Sequence, residues 1–67
     1  MGMTLRAARS NVRLTQKEAA DELNLSVETL ANYEAGKSFP RVDTIKKMEK
    51  LYRVSYNDLI FLPSDYD

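Results

Sequence analysis

Apolar residues recur along this chain at helical spacing. Leu5, Ala8 and Val12 stand at i, i+3 and i+7, with Thr4 ahead of them as an N-cap, which predicts a first helix over about 4–12. Thr15 with Glu18 three residues on is a capping box, and Ala19, Ala20 and Leu23 follow on one face of a second helix. Asn24 tolerates the left-handed conformation and is placed to end it. Ser26 caps a third helix whose inward residues are Leu30 and Tyr33, and Gly36 stops it. Val42, Ile45, Met48, Leu51 and Tyr52 mark a fourth, with Asp43 favourably placed in its first turn. Ser55 and Asp58 repeat the cap spacing and predict a short fifth helix ending before Pro63. No run alternates apolar and polar residues for long enough to predict a strand.

The expected fold is therefore all-α, a compact five-helix domain. Its core is drawn from Val12, Leu14, Ala20, Leu23, Leu25, Leu30, Tyr33, Ile45, Met48, Leu51, Val54 and Leu59. A chain of 67 residues has room for one small domain, since at this size only about 60% of the unfolded surface is buried. Residues 1–67 are read as that domain, with its core over about 4–62 and a short tail at 63–67.

Composition narrows the chemistry. With no Cys and no His, disulfides, zinc ligand sets, thiol nucleophiles and imidazole acid–base catalysis are all excluded. The carboxylates are dispersed over helix exteriors, and no nucleophile–base pair or Gly-rich phosphate loop can be assembled, so neither an enzyme nor a cofactor, metal or small-molecule substrate is expected. The longest apolar run, Leu59 to Leu62, is far short of the roughly 20 residues of a membrane span. Arg6 and Arg9 break any secretory pattern at the start. A cytoplasmic protein with no membrane partner is expected.

Lys plus Arg and Asp plus Glu number 10 each, so any affinity for a polyanion has to come from local segregation of charge. Residues 1–17 hold Arg6, Arg9, Arg13 and Lys17 with no acid, and Lys37 to Arg41 is a second acid-free basic stretch. By itself such segregation is as consistent with a solvated surface as with a binding face.

Only Asn24 and Leu25 separate the second helix from the third. The chain must turn sharply there, and a small residue such as Ala20 allows the two helices to cross closely. This is helix-turn-helix geometry, with the second helix of the pair presented on the surface. With Leu30 facing inward, Tyr33, Glu34 and Val27 fall within about 60° of it, whereas Glu28 and Asn32 point almost directly away.

At this point the sequence resembles a known family. Gln16 to Glu34, read as Gln-Lys-Glu-Ala-Ala-Asp-Glu-Leu-Asn-Leu-Ser-Val-Glu-Thr-Leu-Ala-Asn-Tyr-Glu, is similar to the DNA-binding unit of the lambda-repressor-like family of phage repressors, Cro and Xre-type regulators. Ala35 to Pro40 and Val54 to Leu59 resemble that family's loop and fifth helix, so the likeness covers about residues 5–60. It departs at Arg13, Asn24 and Arg53, where the family often has Gly. Asn visits positive φ readily, but Arg does not.

The resemblance implies a sequence-specific DNA-binding transcriptional regulator, repressor-type or Cro-like, acting as a homodimer on a near-palindromic operator in double-stranded DNA. In that setting Asn32 has the chemistry to grip adenine N6 and N7, Glu28 to accept from cytosine N4, Thr29 to bond a base or phosphate, and Val27 to pack on a thymine methyl. Gln16, in the first turn of its helix, and Lys37 and Ser38, just past the reading helix, are the expected phosphate anchors. Arg41, Arg6, Arg13 and Lys17 are further candidates, each equally well explained as a surface residue. Arg9 lies on the apolar face of the first helix, where an unpaired guanidinium would be costly. Glu34 turns inward, and the resemblance implies that family members pair these two positions as a structural ion pair. Tyr56, Phe61 and Leu62 exceed what the core needs and are read either as a dimer surface or as cover for the core's lower edge. The alternative function is a protein-interaction module of the same fold, such as an antitoxin, whose main partner is another polypeptide. The zero net charge and the acidic tail of Asp65 and Asp67 support that reading.

Overall fold

A computed structural model describes residues 2–61. Its α-helices are α1 (Leu5–Asn11), α2 (Gln16–Leu23), α3 (Val27–Ala35) and α4 (Val42–Tyr52). Local side-chain bonds begin three of them. Thr4 Oγ1 accepts from Ala7 N at 3.1 Å, and Ser26 Oγ accepts from Thr29 N at 3.1 Å. At α2 the capping box closes in both directions: Glu18 N donates to Thr15 Oγ1 at 3.1 Å and Thr15 N to Glu18 Oε1 at 2.9 Å. Each bond satisfies a donor that a helix start otherwise leaves without an intrahelical partner.

All four helices end the same way. A residue with positive φ follows the last helical turn, and the next amide reaches back five residues: Leu14 N to Arg9 O, Leu25 N to Ala20 O, Lys37 N to Asn32 O and Val54 N to Glu49 O. The left-handed residues are Arg13 (φ 63°), Asn24 (φ 59°), Gly36 (φ 81°) and Arg53 (φ 59°). The three positions where the sequence departs from a common glycine are thus positions where the backbone takes a conformation that favours glycine.

The expected fifth helix is corrected. Tyr56–Asp58 form a single 3₁₀ turn, and Leu59–Ile60 run straight on as a strand. Ser55 Oγ is spent on Asp58 Oδ2 at 3.1 Å and caps no backbone amide, so the spacing that resembles a helix cap closes one turn only. The expectation of no strand is corrected too. Met3–Thr4 (β1) pairs in parallel with Leu59–Ile60 (β2), Met3 opposite Leu59 and Thr4 opposite Ile60. Two residues cannot display an alternating pattern, and the partner comes from the other end of the described chain.

Leu5, Ala8, Ala19, Ala20, Leu23, Leu30, Met48, Tyr52 and Leu59 form the buried cluster. Val12, Leu14, Leu25, Tyr33, Leu51 and Val54, expected inside, pack around it half-buried, and Ile45 is buried as well. Ala8, Ala19 and Ala20 have no exposed surface; residues this small let α2 approach its neighbours closely. Val42, expected on the inner stripe of α4, is 70% exposed because α4 begins beyond the edge of the core. Leu62 and the tail at 63–67 lie outside the described residues.

Candidate nucleic-acid interface

The presented helix is held from beneath by a cluster of polar side chains. Arg9 Nε donates to Glu34 Oε2 at 2.7 Å and its Nη2 to Glu34 Oε1 at 3.2 Å, while Nη1 donates to the carbonyl of Leu14 at 2.8 Å. Gln16 Nε2 adds a further bond to Glu34 Oε1 at 3.0 Å. The Glu34 side chain is only 2% exposed and that of Arg9 12%. A bidentate guanidinium is the geometry best able to offset the desolvation of so deep a carboxylate. The bond with Glu34 raises the Arg9 pKa above its ordinary value, against burial, which acts the other way. The cluster ties together α1, the first residue of α2 and the last turns of α3.

The Tyr52 ring lies close by, 2% exposed, and its hydroxyl has no hydrogen-bond partner among the described residues. Burial, and after it the negative charge of Glu34, push this phenol up to about 12.

On the opposite side of α3 Glu28 is exposed and Asn32 half-buried; Thr29 is half-buried on the flank, and Val27, on the Glu34 face but at the helix start, is 41% exposed. Thr29 Oγ1 accepts from Ser26 Oγ at 2.9 Å, so this hydroxyl is fixed by the cap of its own helix. Lys37, Ser38 and Arg41 are exposed on the loop that leaves α3. Gln16 is half-buried, and one donor of its amide nitrogen goes to Glu34; the second amide donor and the backbone N–H of this helix start are left to meet an anion. Lys17 is exposed and bridges to Asp21 Oδ2 at 3.4 Å one turn along. Arg6 and Arg13 are exposed on α1 and just past its end. Tyr56 is 49% exposed and Phe61 half-buried.

Two features escaped the sequence reading. One is the third bond to Glu34 from Gln16. A buried carboxylate that has taken two bonds from an Arg still has lone pairs to satisfy, and that is the signal pointing to a further donor. The other is an aromatic surface on the basic loop, where Phe39 is 59% exposed between Lys37 and Arg41. No helix among the described residues is long and apolar enough to cross a membrane.

Residues 5–59 match the family model described as Helix-turn-helix. Over 60 residues the chain is 42% identical to the HTH-type transcriptional regulator ImmR of Bacillus subtilis (strain 168), covering 90% of this chain and 47% of ImmR. It is 29% identical over 56 residues to the HTH-type transcriptional activator BcrR of Enterococcus faecalis, covering 84% of this chain and 28% of BcrR. A third relative, Multiprotein-bridging factor 1 of Candida albicans, is 34% identical over 50 residues, or 75% of this chain and 33% of that protein. The chain thus spans less than half the length of each. With the family model matched across nearly all of the described fold, the chain belongs to the Cro/C1/Xre-type helix-turn-helix family, whose members are non-enzymatic DNA-binding proteins.

Proposed function

We propose that this chain is a sequence-specific DNA-binding regulator that lays α3 in the major groove. The observation that carries the reading is the contrast between the two sides of α3. Glu34 is buried and bonded to Arg9 and Gln16, while Glu28 and the half-buried Asn32 are left on the other side of a helix that cannot easily roll. A reading helix needs this rigidity, because base contacts discriminate only at fixed register. Asn32 is assigned to adenine, Glu28 to cytosine N4, Val27 to a thymine methyl, and Thr29 to a base or phosphate. Gln16 with Lys37 and Ser38 anchors phosphates, and Arg41, Lys17, Arg6 and Arg13 add positive charge around them.

The finer reading is a repressor- or Cro-like protein of the cytoplasm, bound as a homodimer to a near-palindromic operator with half-sites about 34 Å apart. Tyr56 and Phe61, with Leu62 beyond the described residues, supply the surface on which two copies meet. The second reading, an interaction module such as an antitoxin acting mainly on a protein partner, draws on the zero net charge and on the exposed aromatic surface at Phe39.

Selection of bound duplexes from a random pool, followed by binding measured against salt, tests the proposal. A recovered consensus with two spaced half-sites and a steep loss of affinity with salt supports it. Salt-insensitive binding to a polypeptide, with no duplex recovered, favours the second reading.

A further inference from the structure

One apolar surface stands open beside the basic loop. Phe39, Val42, Ile45 and Tyr56 line a groove of about 450 Å³, and Arg41 and Lys46 border it. Phe39, Val42 and Tyr56 are 59%, 70% and 49% exposed. Single exposed apolar residues are ordinary, but a contiguous group of this kind marks a surface that something covers. The chain itself arrives at the rim, for the Phe61 ring lies 4.7 Å from that of Phe39 and 5.8 Å from that of Tyr56, centre to centre.

We propose that residues 62–67 of the same chain, Leu-Pro-Ser-Asp-Tyr-Asp, dock in this groove and compete with DNA phosphates for Arg41. Two observations converge on this occupant. The segment starts where Phe61 stands, and six residues reach up to about 20 Å, enough to lie along the groove. Its composition matches the lining: Leu62 and Tyr66 suit the apolar floor, and Asp65 and Asp67 suit Arg41 and Lys46. The groove's own carboxylate, Glu49, accepts from Tyr56 N at 2.6 Å, which fixes its position and leaves its charge in place. Docking would set two negative charges beside the Lys37 to Arg41 loop, at the phosphate-anchoring end of the interface. Tyr56 and Phe61 are also the surface offered above for pairing copies, so a docked segment and a paired copy would compete for it. The competition with DNA rests on the proposed function; the docking does not.

The test uses the full chain, its D65N/D67N variant and a Tyr66→Ser variant. The methyl resonances of Val42 and Ile45 and the affinity for a selected duplex are read on each. Both variants should move those methyl signals, and by the same amount on dilution. D65N/D67N should bind duplex about three- to tenfold tighter at low salt, the worth of one or two exposed ion pairs, with the advantage fading as salt rises. Methyl signals unmoved by either variant overturn the docking. Signals that change with protein concentration overturn it in favour of a second copy's segment. Unchanged or weaker duplex binding by D65N/D67N overturns the competition. The methyl readout decides the docking even if no duplex is bound, so a failure of the DNA-binding reading stays distinct from a failure of this one.

Discussion

Arg9 and Glu34 meet in a bidentate ion pair, Nε to Oε2 at 2.7 Å and Nη2 to Oε1 at 3.2 Å, that joins the first helix to the third through the interior. Such a pair gains little over a well-packed apolar substitute, but half of it is costly, because the remaining charge is buried without compensation. Glu34→Ala and Arg9→Met should each lower stability by about 3–5 kcal/mol. The double variant Arg9→Met with Glu34→Leu should recover a large part of that loss. Denaturant unfolding of the two singles and the double, read as a mutant cycle, measures the coupling. A coupling near zero would show that the contact carries no energy.

Tyr52 buries a hydroxyl without a partner among the described residues. Leaving such a group unbonded costs about 1–3 kcal/mol, so Tyr52→Phe should leave the fold as stable or make it more stable, an unusual result for a core substitution. The pH dependence follows from the same environment. The folded-state value, about 12, lies above the ordinary value of 10. Below that ordinary value both folded and unfolded chains hold the proton, so the contribution is fully present. As pH rises through the window between the two values, the unfolded chain loses its proton first and the folded state is progressively penalised. The wild-type chain should lose stability over that alkaline window by a component that Tyr52→Phe lacks. Parallel pH–stability curves for the two proteins would contradict this.

Arg13 and Arg53 hold left-handed backbone angles at helix ends where glycine is free of the steric cost of a Cβ. Their compensation is charge, since a cation just past a helix C-terminus gains about 0.3–1 kcal/mol from the dipole. Two opposing effects of about 1 kcal/mol predict a small net change whose sign salt controls. Arg53→Gly should be nearly neutral at low salt and stabilising at high salt, where the dipole interaction is screened. Arg53→Val should be destabilising at any salt concentration, because a β-branched side chain tolerates the left-handed region worst. Thermal midpoints for the three proteins at two salt concentrations decide the point.

Much of the fold was legible because it is written in short-range chemistry. The Thr15–Glu18 box, the Ser26 cap and the Gly36 stop each act over three or four residues, and each stands in the structure where its spacing predicts. The inward turn of Glu34 followed from its angle to Leu30. What escaped the sequence is long-range. The pairing of Met3 with Leu59 joins two-residue strands from opposite ends of the described fold, and no local pattern encodes it. Val42 kept the helical phase of the inner stripe yet lies past the core's edge, because periodicity gives a direction and says nothing of how far the core extends. The bond from the Gln16 side chain to Glu34 is long-range too, since only the fold brings that carboxylate's unmet bonding capacity within reach.

The assignment of readers and anchors separates by the kind of loss it predicts. Asn32 is offered as a base reader, so Asn32→Ala should weaken binding by about 1–3 kcal/mol at one base position of a selected operator and leave the other positions as they were. Lys37 is offered as a phosphate anchor, so Lys37→Ala should weaken every duplex alike and flatten the dependence of affinity on salt by about one unit of slope. Glu28 works in the opposite sense, because a carboxylate facing phosphates is repelled unless a base donor satisfies it. Glu28→Gln should therefore strengthen binding to unrelated duplex while blurring preference at the cytosine it is proposed to read. Affinity titrations of the three variants against a base-substituted operator set, at two salt concentrations, distinguish these patterns. A uniform loss for Asn32→Ala, or a position-specific one for Lys37→Ala, would exchange the two roles and require a different docking of α3.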